Sequence, residues 1–159
     1  MSGAEATRKG GWNMKKVYNG NIMVTRANEQ TWQLKLKDIV TVSGSVYVRQ
    51  GATLSAPKLA RSGSVDVSGG STLSVPKLAR SGSVDVRQGS ILTAPKLATS
   101  GSDDVSGGSA LTAPNLATVS GSVYVRQGSI LTAPNLATVS GSVKDVREMQ
   151  RRLRKAGVI

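Results

Sequence analysis

Apolar and polar residues alternate in short bursts along most of the chain. Val123-Tyr124-Val125 reads apolar, polar, apolar, and Leu131-Thr132-Ala133 does so again a few residues later. Alternation this brief predicts short strands with one buried face. No stretch of the repeat has a helical period. The triplet Ser-Gly-Ser begins at Ser43, Ser62, Ser81, Ser100, Ser120 and Ser140, at intervals of 19, 19, 19, 20 and 20 residues. All five prolines (Pro57, Pro76, Pro95, Pro114 and Pro134) share one column of this repeat, and Gly51, Gly70, Gly89, Gly108 and Gly128 share another. Proline helps to end the second strand of each unit, and the glycines fall at corners that need positive φ. Lys58 to Val67 recurs verbatim as Lys77 to Val86, the mark of a duplicated structural unit.

A unit of 19–20 residues with short strands and glycine corners predicts an all-β, single-stranded β-solenoid (β-helix) of about six coils. Coils stack about 4.8 Å apart, so matching residues form columns, and six coils make a rod on the order of 30 Å long. The expected inner columns are Val46, Val65, Val84, Val123 and Val143; Val48, Val67, Val86, Val105 and Val125; Leu54, Leu73, Leu92, Leu111 and Leu131; Ala56, Val75, Ala94, Ala113 and Ala133; and Leu59, Leu78, Leu97, Leu116 and Leu136. Small aliphatic residues suit a narrow interior, which accounts for the absence of Phe. Asp103 interrupts the first valine column. A buried, unpaired carboxylate is expensive, so a local twist is expected to send Asp103 outward with Asp104.

The two ends depart from the repeat. Residues 1–19 read as a basic, Gly-rich tail, disordered at least in part, with no hydrophobic stretch of a secretory signal. Residues 20–42 read as a degenerate capping coil: Gly20 to Val24 matches Gly121 to Val125, and Leu34 and Ile39 take the places of Leu131 and Leu136. Four extra residues between Val24 and Leu34 predict a bulged loop, with Trp32 over the open end. Solenoids need such caps because an exposed coil edge templates aggregation. In the last segment Val146, Met149, Leu153 and Ala156 have helical spacing and Gly157 sits at a C-cap position. Residues 144–159 are therefore expected to form a basic amphipathic capping helix carrying Arg147, Arg151, Arg152, Arg154 and Lys155.

The unit Gly-Ser-Val-x-Val-Arg-Gln-Gly-x-x-Leu-x-Ala-Pro-x-Leu, as at Gly44 to Leu59, resembles repeats of β-solenoid proteins found as short uncharacterised bacteriophage open reading frames. More distantly it resembles the leucine-rich-like coils of receptor L domains. The likeness covers about residues 20–143 and carries no catalytic residues. It implies a small protein acting on host machinery in the bacterial cytoplasm, for instance an inhibitor of a defence system such as an anti-CRISPR.

Composition narrows the chemistry. The 159 residues include no Cys and no His, which removes disulfides, thiolate nucleophiles, imidazole bases and ordinary zinc sites. No catalytic residue, metal site or cofactor is expected, nor a membrane span. The net charge of +12 points to an anionic partner: a host protein or nucleoprotein complex with an acidic surface, or DNA or RNA. With 3% aromatic residues, stacking platforms for single strands are not expected.

Three surfaces qualify as contact sites, each otherwise a solvated, solubilising face. Lys58, Lys77 and Lys96 form one column and Arg61 and Arg80 a nearby one; Asp66, Asp85 and Asp104 are expected to offset part of that charge. Arg49, Arg87 and Arg126, each followed by Gln, alternate with Ser68 and Ser106, and Tyr47 and Tyr124 lie beside the outer two. Exposed Tyr with Arg is a common make-up for a binding hot spot. The terminal basic residues form the third. A hydroxyl ladder (Ser55, Ser74, Thr93, Thr112, Thr132) resembles an ice-binding face, but Ile91, Ala110 and Ile130 break the neighbouring column. The leading expectation is a non-enzymatic interaction protein, with direct nucleic-acid binding and a self-assembling structural rod as alternatives.

Overall fold

A computed structural model describes residues 16–145, together with Lys155 and Gly157. Two parallel sheets face each other across a narrow core. The larger contains β1 (Lys16–Tyr18), β2 (Ile22–Val24), β3 (Ile39–Val48), β5 (Arg61–Val67), β7 (Arg80–Val86), β9 (Thr99–Ser100), β10 (Ser102–Val105), β12 (Thr118–Val119), β13 (Val123–Val125), β15 (Thr138–Val139) and β16 (Val143–Asp145). The smaller contains β4 (Thr53–Ser55), β6 (Thr72–Ser74), β8 (Ile91–Thr93), β11 (Ala110–Thr112) and β14 (Ile130–Thr132). Each strand pairs with its equivalent one coil away, so the chain winds as a β-solenoid of about seven turns.

The repeat period fixes the register. Ile22, Val46, Val65, Val84, Asp103, Val123 and Val143 stand in one file, each the direct partner of the next. Leu54, Leu73, Leu92, Leu111 and Leu131 form the facing file. The expected inner columns are buried through the middle coils and open only at the last one, where Val143 is exposed. Each fully buried Leu or Val contributes roughly 1.5–3 kcal/mol.

Glycine serves two different needs. Gly51, Gly70, Gly89, Gly108 and Gly128 have φ between 71° and 73°, as corners require. The glycines of Ser-Gly-Ser have no positive φ; they are needed because neighbouring coils nearly touch there. A Cβ on Gly63 would lie 2.8 Å from the Gly44 carbonyl oxygen, and one on Gly82 would overlap that of Gly63. A further column, absent from the sequence reading, is a buried serine ladder. Ser71 N–H donates to Ser90 Oγ at 3.1 Å, Ser90 N–H to Ser109 Oγ at 3.1 Å, and Ser109 N–H to Ser129 Oγ at 3.0 Å.

The first coil differs from the expected bulged loop. The extra residues form α1 (Glu29–Leu36), which stands in place of a strand in the smaller sheet. Its polar side chains complete the edge of β4. Gln33 accepts from Ser55 N–H at 2.9 Å and donates to Ser55 C=O at 2.7 Å; Glu29 accepts from Thr53 N–H at 2.7 Å. Residues 29 and 33 share a helix face because they are four apart. Helical geometry also turns Leu34 out, 70% exposed, and buries Leu36 instead. Trp32 packs against the core, edge-on to Tyr18 at 5.5 Å. Lys16–Tyr18, within the segment read as a tail, pair with β3. At the other end Val143–Asp145 form a seventh rung where a helix was expected from residue 144. Arg147, Arg151, Arg152 and Arg154 lie outside the described residues; Lys155 is helical and Gly157 has φ 74°.

Candidate interaction surfaces

The outer face of the larger sheet carries the column Tyr47, Asp66, Asp85, Asp104 and Tyr124. The three acids are partnered by the arginines at the adjoining corner, not by the lysine stripe they were expected to offset. Arg49 reaches Asp66 at 3.3 Å, Arg87 reaches Asp85 at 3.0 Å and Arg126 reaches Asp104 at 2.5 Å. Two of these pairs link neighbouring coils. Desolvation raises the Asp85 carboxyl above its usual range; Arg87 opposes the rise, while Asp66 and Asp104 on either side add to it. Arg49 lies over the Tyr47 ring at 4.7 Å and Arg126 over Tyr124 at 5.0 Å. The Tyr-Arg units therefore spend their guanidinium charge within the solenoid.

The alternation of Arg-Gln with Ser-Gly corrugates this edge. Gln50, Gln88 and Gln127 adopt left-handed φ of 59°, 56° and 54°. Between Arg87 and Arg126 the small Ser106 leaves an open groove of about 360 Å³, also lined by Asp104 and Gln127. Each arginine lining it is matched by a carboxylate, so it holds no excess charge.

The opposite corner is different. Asp38, Lys58, Lys77 and Lys96 recur at the repeat interval, followed by Asn115 and Asn135. Thr41, Arg61, Arg80, Thr99 and Thr118 stand in strict register beside them. Asp38 takes Lys58 at 3.0 Å, and that hydrogen bond holds its carboxyl below the usual range. Arg61, Lys77, Arg80 and Lys96 are exposed, and among the described residues none of them has an acidic partner. Every other cation in residues 43–142 is paired. Like charges at about 4.8 Å repel, so this corner carries an electrostatic cost that, beyond Asp38 on Lys58, no acid among the described residues relieves.

Asp103 does not turn outward. It is fully buried between Val84 and Val123, in register with both. Pairing on both sides prevents the strand from rotating one residue out of phase. Desolvation pushes its carboxyl up to about 6; the Ser100 hydroxyl partly opposes the rise and Asp85 adds to it. Neither Asp103 oxygen nor Ser100 Oγ makes a hydrogen bond of acceptable geometry. Asp104 points the other way, as adjacent strand residues must, so the two carboxylates form no pair.

The hydroxyl ladder lies in register on the smaller sheet. Ile91 and Ile130 interrupt its neighbouring column and are 46% and 49% exposed. Comparison with known protein families, curated proteins and solved structures finds no match. The class of protein defined by the fold is a β-solenoid.

Proposed function

We propose that the protein is a non-enzymatic docking scaffold that presents its unneutralised basic corner to the acidic surface of a protein or nucleoprotein complex. The observation that carries this reading is the contrast between corners. One arginine column is matched acid for base, whereas Arg61, Lys77, Arg80 and Lys96 stack without acids. A partner's carboxylates would relieve the repulsion among them. The coil holds these residues on a hydrogen-bonded frame, so binding must order side chains but little backbone. The resemblance to phage open reading frames makes bacterial host proteins the first place to seek that surface, an inhibited defence complex among them.

The test uses polyglutamate as an acidic polypeptide probe and charge-matched duplex DNA as its competitor. Binding of polyglutamate that Lys77→Gln with Arg80→Gln abolishes, and Arg87→Gln with Arg126→Gln (the same loss of two charges) leaves within about twofold, supports the reading. Equal loss from both variants would defeat it, because the effect would then follow net charge alone. Nucleic-acid binding is the second reading, favoured by the same four cations. Four phosphate contacts predict a log-log salt slope of about −3.6. DNA binding with that slope at about 100 mM salt, and no polyglutamate binding, would put nucleic acid in first place.

A further inference from the structure

The basic corner has a pitch as well as a charge. Resting on the docking reading above, we infer that its partner presents an α-helix laid along the rod axis, with acidic side chains on successive turns of one face. Ala60, Ala79 and Ala98 run between the lysine and arginine columns and are half-buried. Their backbones bond coil to coil: Ala79 N–H to Ala60 C=O at 2.9 Å and Ala98 N–H to Ala79 C=O at 2.9 Å. The corner thus carries a hydrogen-bonded ladder of small side chains with a cation row on each side.

Steps along it are about 4.8 Å. A helix returns to the same face every 5.4 Å or so, and residues i and i+4 have Cβ atoms about 5–6 Å apart. Over three rungs the mismatch grows to only about 1 Å, well within the reach of lysine and arginine side chains. An extended strand repeats a face every 6.8 Å or so and would drift by about 4 Å over the same span. A single nucleic-acid strand would need stacking partners, and Tyr47 and Tyr124 lie at the other corner, under Arg49 and Arg126. The double row is also finite. Asp38 and Thr41 close one end, and Asn115 and Thr118 follow at the other. It accommodates about two helical turns, with carboxylates at i and i+4 on one row and i+3 and i+7 on the other.

The experiment compares two alanine-based helical peptides of identical composition by fluorescence anisotropy. One has glutamates at i, i+3, i+4 and i+7; the other distributes the same glutamates around the helix. The expected result is binding of the one-faced peptide about tenfold or more tightly than the distributed one. Lys77→Gln with Arg80→Gln, both exposed positions, should erase that preference while circular dichroism stays unchanged. Equal affinity for the two peptides, with both weakened by the variant, overturns the helix and leaves the acidic-surface reading standing. Displacement of the one-faced peptide by equimolar charge-matched DNA overturns it in favour of nucleic acid. No binding of either peptide or of polyglutamate overturns both.

Discussion

Replacing Asp103 by Val should stabilise the protein, and by an amount that depends on pH. The carboxyl is fully buried in a file of valines, and burial raises it to about 6 from 3.8. A native pKa above the unfolded one means that the folded state holds its proton longer. The native state is favoured at low pH, and stability falls as pH rises from about 4 through about 6, then levels off. A shift of that size corresponds to about 3 kcal/mol when the group is ionised in both states. At pH 4 the same linkage leaves only about 0.5 kcal/mol, so the pH-dependent part is roughly 2.5 kcal/mol. Valine also removes a neutral polar group that lacks hydrogen bonds, which adds a pH-independent gain of about 1–3 kcal/mol. The assay is urea unfolding followed by circular dichroism, at half-unit steps from pH 4 to 7.5, for wild type, Asp103→Val and Asp103→Asn. Carboxylates other than Asp85, which interacts with Asp103, titrate alike in all three and cancel in the differences, and Asp103→Val and Asp103→Asn remove the Asp85 interaction equally. The Val-minus-wild-type difference should grow with pH and plateau above about 6.5. A difference that is constant across the range, or that shrinks as pH rises, would refute the reasoning.

Other columns make separate predictions. Gly82→Ala forces a Cβ into the Gly63 carbonyl oxygen and should lower the thermal midpoint markedly, whereas Gly51→Ala, at φ 71° with open space around it, should lose only about 1–2 kcal/mol. Ser90→Ala leaves the buried Ser71 N–H without its acceptor, and urea melts should show a loss of about 1–3 kcal/mol. Gln33→Ala unpairs both polar groups of Ser55 at the edge of β4, so light scattering should reveal association that wild type does not show at the same concentration.

The columns were legible from sequence because parallel stacking turns a fixed interval along the chain directly into adjacency in space. The valine, leucine, lysine and arginine files could be read from Ser-Gly-Ser spacing alone, as could the solenoid itself. The exceptions are residues whose roles the repeat does not dictate. Asp103 breaks its column once, and sequence reasoning weighs only the cost of burying it; the register held by β7 and β13 decides otherwise. α1 has no strong apolar face, and its function lies in the polar pair Glu29 and Gln33, four residues apart. That spacing was visible, but it gains meaning only beside the open edge of β4. The partners of Asp66, Asp85 and Asp104 depend on which corner each column faces, which periodicity alone does not specify. The serine ladder was foreshadowed by a Ser after the corner glycine at 71, 90, 109 and 129.

Stacking in register is tested most directly by engineered disulfides, since the chain has no native cysteine. Thr72 and Ile91 are direct partners on β6 and β8, about 4.8 Å apart and within disulfide reach. Thr72 and Ala110 are two coils apart, about 9.6 Å, and beyond it. Oxidised Thr72→Cys/Ile91→Cys should form an intramolecular bond quantitatively while keeping the native circular dichroism spectrum, and Thr72→Cys/Ala110→Cys should remain reduced. The reverse pattern, a bond between residues 72 and 110 but none between 72 and 91, would contradict the solenoid.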